Sequence, residues 1–178
     1  MNVKAAAFDY ERPTTVGETL ALLGQHGDEA QVIAGGQSLV PMMAFRLSRP
    51  SVLIDLNAVP ELAGMQNGAD WFTVGAMTRQ YQVLAQPEVR MHMPGLAQAT
   101  AFVGHHQTRN RGTIGGSIAL ADPAAENPAF ALAIGARMRL ASTRGERSIM
   151  ADEFFQGAYM TAIAEDELLV AVDYPHWG

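Results

Sequence analysis

Two glycine pairs are the residues in this sequence whose types and setting could bind an anion. Gly35-Gly36 lies in Ala34-Gly35-Gly36-Gln37-Ser38, and Gly115-Gly116 lies in Thr113-Ile114-Gly115-Gly116-Ser117. Glycine permits positive φ and close backbone approach, so successive amide N–H groups can turn toward an anion, and the serine that follows adds a hydroxyl donor. One such pair is also typical of an ordinary tight turn. Two pairs with matched chemistry predict a site for a diphosphate.

Charged residues next to the second pair could serve the same ligand. Arg109 and Arg111 come just before it, where they could meet a small anion or equally form a solvated surface. Asp122 and Glu126 follow it, and a carboxylate there could accept hydrogen bonds from sugar hydroxyls. The alternative role of both is to cap a helix, which Pro123 favours for Asp122 and which stays open for Glu126.

The composition excludes several other classes of chemistry. The 178 residues include no cysteine, which excludes disulfides, thiolate-bound iron–sulfur clusters and a thiol nucleophile, so redox chemistry needs a bound cofactor. The net charge of −6 argues against a nucleic-acid partner. His105 and His106 are adjacent and point to opposite sides of an extended loop, so no metal site is expected. No serine has the Gly-x-Ser-x-Gly context of a hydrolase, and no side chain is predicted to be catalytic.

Hydrophobic patterning bounds the class of protein. With 48% hydrophobic residues, the chain can bury the core of one domain or of two small ones. Its first residues lack the long apolar stretch of a secretion signal, and no apolar run reaches membrane-spanning length. A cytoplasmic protein is therefore expected.

The elements around the first glycine pair predict a small parallel α/β unit over residues 1–56. Thr15 and Glu18 form a capping box at the start of a helix that Gly27 ends. Apolar runs predict strands at 31–34 and 51–56, with a short helix at 40–47 between them. A glycine turn at the carboxyl end of a strand is a common place for phosphate at a helix N-terminus.

Residues 57–178 predict a second, mixed α+β subdomain. The expected strands are 71–75, a hairpin over 137–150 and a last strand at 168–174. The expected helices are 94–102, one that Thr78 caps and that runs to Ala85, and one that starts at Asp122-Pro123 and that Gly135 ends. Between them, residues 103–112 are expected to be a polar loop, and the second glycine pair is expected to be a turn.

Several motifs in order identify a family. The segments Ala34-Gly35-Gly36-Gln37-Ser38-Leu39, Arg109-Asn110-Arg111-Gly112-Thr113-Ile114-Gly115-Gly116-Ser117, Ala121-Asp122-Pro123-Ala124-Ala125-Glu126 and Phe154-Phe155-x-Gly157 resemble the FAD-binding medium subunit of the molybdenum hydroxylases. That group includes carbon monoxide dehydrogenase and xanthine dehydrogenase. The resemblance implies the two-subdomain α+β FAD-binding fold of the vanillyl-alcohol-oxidase-like type and runs from about Phe8 to Pro175.

The resemblance also implies which residues contact FAD. Both glycine motifs would hold the diphosphate, Glu126 or Asp122 would bond the hydroxylated portion, and Val103 and Leu169 would pack against the cofactor, with Leu169 on the isoalloxazine. The implied set is Val32, Ile33, Ala34, Gly35, Gly36, Gln37, Ser38, Leu39, Val103, Thr113, Ile114, Gly115, Gly116, Ser117, Asp122, Glu126 and Leu169.

In that family the flavoprotein subunit resembles an exit port for electrons. A large subunit oxidises the substrate at molybdopterin, a small subunit passes electrons through [2Fe–2S] clusters, and FAD delivers them to an external acceptor. The resemblance therefore implies an oxidoreductase subunit with molybdopterin-binding and [2Fe–2S] partners. A self-contained flavin oxidase is disfavoured because no side chain is placed to abstract a substrate proton.

The sequence departs from the family pattern at its end. Relatives continue into a C-terminal domain, whereas this sequence ends at Gly178, so the expectation is that this domain is missing. The alternative function is thus a truncated, non-catalytic remnant or interaction module that binds FAD weakly or not at all. Apolar surface left exposed by the missing domain could be covered by a homodimer.

Overall fold

The structure, a computed structural model, describes residues 4–176. Residues 1–3 and 177–178, the outer ends of the two predicted subdomains, lie outside the described residues. The helices are α1 (Val16–His26), α2 (Leu39–Ala44), α3 (Gln80–Ala85), α4 (Pro87–His92), α5 (Pro94–Phe102), α6 (His106–Arg111), α7 (Ile114–Leu120), α8 (Glu126–Ile134) and α9 (Ala151–Phe154). The strands are β1 (Asp9–Glu11), β2 (Ala30–Ile33), β3 (Val52–Asp55), β4 (Met65–Asn67), β5 (Trp71–Gly75), β6 (Arg137–Ser142), β7 (Gly145–Met150), β8 (Phe155–Gly157), β9 (Met160–Thr161) and β10 (Leu168–Pro175).

The predicted mixed α+β fold is confirmed. Within residues 4–176, β1, β3 and β2 form a parallel sheet in that order, and β4, β5, β10, β6 and β7 form an antiparallel sheet in that order. Helix α1 packs on β3, whereas α7 packs on β10 and α8 packs against α5. No helix of this described part is both long and apolar enough to cross a membrane.

The two sheets divide where the sequence predicts a subdomain boundary. The strands of the parallel sheet end at Asp55, and those of the antiparallel sheet begin at Met65. One apolar cluster crosses this point, however, and joins Leu20 of α1 to Met77 and Leu168. Because this core is shared, the division at residue 56 stays a prediction.

Helix α1 forms as predicted, with one difference at its start. The Thr15 hydroxyl accepts a hydrogen bond from the Glu18 amide at 3.1 Å, and Gly27 ends the helix with a φ of 53°. The Glu18 carboxylate accepts from the Thr14 amide at 2.7 Å, rather than from that of Thr15 as a capping box requires. The helix buries Leu20 and Leu23 beneath the parallel sheet.

The prediction that Thr78 caps a helix is wrong. Helix α3 is preceded by Arg79, and the buried Thr78 hydroxyl donates to the Gly64 carbonyl at 2.8 Å and accepts from the Gly64 amide at 3.0 Å. The Thr78 hydroxyl therefore bonds to a distant backbone group and does not cap the helix as its local spacing had predicted. The predicted strand 71–75 and helix 94–102 are confirmed as β5 and α5.

Two predictions about the region between α5 and α8 are also wrong. Residues 103–112 are not a loop throughout, because His106–Arg111 forms α6. The last helix of the region begins at Glu126, not at Asp122, since the Asp122 carboxylate accepts from the Ala124 amide at 2.9 Å and forms a turn before the helix. Gly135 ends that helix with a φ of 70°, as predicted.

Candidate functional site

The first glycine motif, residues 34–39, lies between the carboxyl end of β2 and the first turn of α2. The consecutive amide N–H groups of its residues Gly35 to Leu39 find no hydrogen-bond acceptor among residues 4–176. Gly36 has a φ of 71°, a conformation that favours glycine. Gly35 is buried and Gly36 half-buried, whereas Gln37 and Ser38 are exposed at the start of α2. Consecutive open donors at such a place can bind an anionic ligand.

The second glycine motif, residues 113–117, is not the predicted turn but the first turn of α7. The Thr113 hydroxyl caps this helix by accepting from the Gly116 amide at 3.0 Å. The Ile114 and Gly115 amides donate to the carbonyls of Thr78 and Ala76, at 3.0 and 2.8 Å. These three amides are thus already bonded, so the two motifs do not offer equivalent donors.

Gly115 has a packing role that the sequence did not reveal. A Cβ added to it would lie 2.7 Å from the Ala76 Cα, so only glycine lets α7 approach the end of β5 this closely. This approach brings the N-terminus of α7, and with it Ser117, to the cleft described next.

A cleft of about 640 Å³ runs between the two motifs. It is lined by most of the predicted cofactor residues: Val32, Ala34, Gly35, Gly36, Gln37, Ser38, Leu39, Val103, Thr113, Gly115, Gly116, Ser117, Asp122 and Leu169. Three other predicted residues do not line it. Ile33 packs against Gly36, Ile114 is fully buried in the core, and Glu126 is the first residue of α8.

The basic residues before the second motif differ in their partners. The Arg109 guanidinium donates from Nη1 to the carbonyls of Val103 and Gly104, at 2.8 and 3.0 Å, and so holds the end of α5. Arg111 is exposed and lies at the end of α6. Arg109 therefore helps to hold the end of α5, and its role toward a small anion stays a prediction.

Part of the cleft lining is acidic and aromatic. Asp122, Tyr159 and Glu167 line the cleft together with Leu169. The negative charge of Asp122 raises the pKa of the exposed Tyr159 phenol. Hydrogen bonds from Arg147 lower the pKa of the buried Glu167 carboxyl, against the opposing effect of its burial. Glu167 is therefore ionised and paired, whereas Leu169, which is 5% exposed, offers the cleft an apolar wall.

Sequence reasoning missed Gln80, which also lines the cleft. Its side chain is 3% exposed, and its Oε1 has no hydrogen-bond partner among the described residues. Nothing in the sequence marks this position, because Gln80 reaches the cleft through the pairing of its backbone with the Gly112 carbonyl at 3.0 Å. An unpartnered amide in a cleft is a candidate ligand contact.

Comparison with known proteins gives the family of the chain. Residues 6–177 match the family described as the FAD binding domain in molybdopterin dehydrogenase. The chain belongs to this family. Its cofactor is accordingly FAD, as the resemblance implied, and FAD contains the diphosphate that the glycine motifs predicted.

Individual relatives agree with this assignment. The carbon monoxide dehydrogenase medium chain of Hydrogenophaga pseudoflava is 43% identical over 94% of this chain and 58% of the relative. The 6-hydroxypseudooxynicotine dehydrogenase complex subunit alpha of Paenarthrobacter nicotinovorans is 43% identical over 97% of this chain and 58% of the relative. The chain thus spans less than two thirds of the length of these proteins.

A solved structure shows the same fold. It is that of carbon monoxide dehydrogenase from Hydrogenophaga pseudoflava which lacks the Mo-pyranopterin moiety of its molybdenum cofactor. The TM-score is 0.95 with 42% sequence identity, and the superposition covers 98% of this chain and 61% of that one. The α+β flavoprotein fold implied by the resemblance is therefore confirmed, and its division into two subdomains stays a prediction.

The residues of the cleft fit FAD. A dinucleotide needs donors for its diphosphate, polar groups for its hydroxyls and an apolar wall for its ring. The open amides of residues 35–39 supply the first, Asp122 and Gln80 are available for the second, and Val103 and Leu169 supply the third.

Proposed function

We propose that this chain binds FAD in the cleft and serves as the FAD-binding part of a molybdopterin-dependent hydroxylase or dehydrogenase. The observation that carries the proposal is the row of unbonded amides from Gly35 to Leu39, which opens on a cleft lined by both glycine motifs. Fixed amide dipoles bind an anion without having to reorganise, so such a row favours a diphosphate over a neutral ligand.

Each part of the cleft has a proposed role in holding the cofactor. The first glycine motif holds the diphosphate through its amides and Ser38, and Ser117 adds a hydroxyl from the opposite side. Asp122 accepts from the hydroxyls of the cofactor, a role for which Glu126 stays a prediction because it does not line the cleft. Leu169 and Val103 pack against the ring system and exclude water from that side.

FAD, when bound, supplies electron exchange between one-electron and two-electron partners. The chain binds and orients it, and no side chain of this chain is assigned a catalytic step. Thiolate-bound iron–sulfur clusters must lie outside these 178 residues, which contain no cysteine. The names of the relatives, a medium chain and a complex subunit, support partnership with a [2Fe–2S] subunit and a molybdopterin-binding subunit.

Three finer statements about this chain remain predictions. Electron delivery to an external acceptor, a homodimer of the isolated chain and a cytoplasmic location are predictions that the fold and the cleft leave unchanged. The alternative of a remnant or interaction module has no observation in its favour, because the cleft and its open amides are formed by the residues present.

A titration of the purified chain with FAD, followed by flavin fluorescence, tests the proposal. We expect saturable binding, and we expect Ser38→Ala and Ser117→Ala each to weaken it by several fold, since each loses one hydroxyl donor to an anion. Ser148→Ala, in β7 away from the cleft, is the matched control and should bind FAD as the wild type does. A wild-type chain that binds no FAD would contradict the proposal.

The partnership is tested by purification from the native source. We expect the chain to copurify with polypeptides that contain molybdenum and iron, measured by elemental analysis of the complex. Isolation of the chain with FAD but without either metal would support the proposed FAD site and refute the proposed assembly.

A further inference from the structure

We propose that Arg79 is a positioning residue of the cofactor cleft, which fastens the first glycine motif to the segment before the second and supplies an unpaired positive charge for the diphosphate. The inference rests on the proposed function and assigns a role to a residue that no glycine motif contains. Three observations carry it: the contacts of Asn57, those of the Arg111 carbonyl, and the lack of a carboxylate partner for Arg79.

Asn57 connects Arg79 to the first glycine motif. Its Nδ2 donates to the Ala34 carbonyl at 3.0 Å, and its Oδ1 accepts from the Arg79 guanidinium. Its amide N–H and Nδ2 also donate to the Asp55 carboxylate at the end of β3. Every polar atom of the Asn57 side chain is therefore used, and the backbone immediately before Gly35 is held in place.

The Arg111 carbonyl connects Arg79 to the segment before the second motif. It accepts a hydrogen bond from the Arg79 Nη1. The same carbonyl oxygen is the atom nearest to the position that a Cβ on Gly35 would take. One guanidinium thus bonds to both segments that meet at Gly35. A single ammonium group cannot replace this planar fork of donors.

Arg79 makes no direct ion pair with a carboxylate within residues 4–176. Both of its hydrogen-bond acceptors are neutral, and it takes part in no ion pair. By contrast, Arg137, Arg144 and Arg147 each pair with a carboxylate.

Arg79 is also half-buried, which makes its unpaired charge costly. Burial, and then the nearby charge of Arg111, lower the pKa of the Arg79 guanidinium, while the Asp55 charge partly opposes this. The Asp55 carboxylate is engaged by Tyr10 and Asn57. A half-buried cation that is joined to the first glycine motif through Asn57 is stabilised when an anion binds to that motif, and a diphosphate is such an anion.

The test compares probes that contain a diphosphate with one that does not. FAD and riboflavin are titrated by fluorescence, and ADP is measured by displacement of FAD. The variants are Arg79→Met, Arg79→Lys and Asn57→Ala, with Arg111→Met as the control that removes a neighbouring exposed positive charge without touching a hydrogen bond of the network. Thermal melting of each variant without ligand reports its folding.

We expect Arg79→Met to weaken FAD and ADP by about ten- to a hundredfold, which corresponds to the loss of hydrogen bonds and charge from a charged group. Riboflavin binding should stay within about twofold on the same reasoning. The FAD affinity of Arg79→Lys should lie between those of the wild type and Arg79→Met, because lysine keeps the charge but cannot bridge both acceptors. Arg111→Met should reduce the affinity for FAD less than Arg79→Met does. Added salt should lower the affinity of the wild type for FAD but not its affinity for riboflavin.

The outcomes separate the two proposals. A wild type that binds neither FAD nor ADP overturns the proposed function and this inference with it. A wild type that binds FAD, with Arg79→Met unchanged, overturns the inference alone. Equal loss of FAD and riboflavin in Arg79→Met shows a merely structural role and also overturns it. If Arg79→Met fails to fold, the inference is tested by comparing FAD with riboflavin binding in Arg79→Lys and in the wild type at increasing salt.

Discussion

Gly35 and Gly112 pack backbone to backbone, and this contact joins the first glycine motif to the segment just before the second. A Cβ on Gly35 would lie 2.8 Å from the Gly112 Cα, well inside ordinary contact distance. The two segments come from opposite sides of the predicted subdomain boundary and meet at one wall of the cleft. The glycine at position 35 thus serves the approach of two distant segments, whereas that at position 36 serves a positive φ.

Gly35→Ala should therefore separate the two motifs. The added methyl group would clash with backbone atoms, and no side-chain rotation can relieve that clash. We therefore expect the free energy of unfolding to fall by about 1–3 kcal/mol and the affinity for FAD to fall as well. Urea unfolding and a flavin fluorescence titration measure the two effects.

Gly24→Ala is the matched control for Gly35→Ala. Gly24 lies inside α1, is exposed, and would place a Cβ with nothing within 4 Å. Alanine is the better helix former, so we expect the free energy of unfolding to rise by about 1 kcal/mol with FAD affinity unchanged. A Gly35→Ala variant that behaves like Gly24→Ala would refute the close-approach argument.

Two threonine caps provide a second comparison. Thr113 caps α7 inside the cleft and Thr15 caps α1 away from it, each through its hydroxyl. We expect Thr113→Ala and Thr15→Ala each to lower the free energy of unfolding by about 1 kcal/mol, because each frees one amide from its cap. Only Thr113→Ala should also weaken FAD binding, because Thr113 lines the cleft and Thr15 does not. Thr113→Ser should restore most of the binding. Equal effects of the two alanine variants on FAD affinity would contradict the placement of the cap in the cleft.

The Glu167–Arg147 pair should make stability depend on pH in the acid range. The Glu167 carboxylate accepts from Arg147 at 2.6 and 2.7 Å and from the Ala164 amide at 2.9 Å. These bonds lower the pKa of Glu167 in the folded state below its ordinary value of 4.5. Because the folded pKa is lower than the unfolded one, this stability is fully present above about pH 4.5 and is lost as the pH falls through the lowered value.

Glu167→Gln tests that expectation. It should lower the free energy of unfolding at pH 7 by about 1–3 kcal/mol and flatten its decline toward acid pH, as measured by urea unfolding across the range. Glu146→Gln is the control, since Glu146 faces Arg139 at 3.5 Å with a side chain 63% exposed, and such pairs contribute little. Parallel acid profiles of the wild type and Glu167→Gln would contradict the assignment.

Gln80→Met should separate stability from cofactor affinity. The Gln80 Oε1 is buried without a partner, so a side chain of similar size without the amide should leave the free energy of unfolding unchanged or raise it by about 1 kcal/mol. If the amide contacts the cofactor, FAD should raise the melting temperature of the variant less than that of the wild type.

Gln82→Met is the neighbouring control for Gln80→Met. The Gln82 Oε1 accepts from the Arg79 amide at 2.8 Å at the start of α3, so its replacement should lower stability. A Gln80→Met chain that is destabilised like Gln82→Met, with an unchanged response to FAD, would show that the Gln80 amide is a structural group.

Local patterns predicted much of this molecule. Short apolar runs bounded by glycine or proline gave the bounds of β5 and the helix that ends at Phe102 without error. The identity of the two glycine motifs, and the family that they indicate, also needed only the order of residues along the chain. Both kinds of prediction succeed because the determining interactions lie within a few residues of one another.

Other features depended on segments that are distant in sequence. Residues 106–111 carry no apolar period, and α6 forms with Arg109 fastened to the carbonyls at the end of α5. The Thr78 hydroxyl bonds to Gly64 and does not cap a helix as predicted. Gln80 lines the cleft, and Arg79 bonds to Asn57 and to the Arg111 carbonyl, with no motif to mark either residue.

The sequence by itself thus determined the family, the fold class and the two motifs that flank the cofactor cleft. Only the tertiary structure decided which of their amides are open to a ligand. The amides of residues 114 and 115 are taken by Thr78 and Ala76, whereas those of residues 35–39 stay open. The physical reason is that an amide is available only when folding brings no acceptor to it, and acceptors from distant strands cannot be read from the residues beside it.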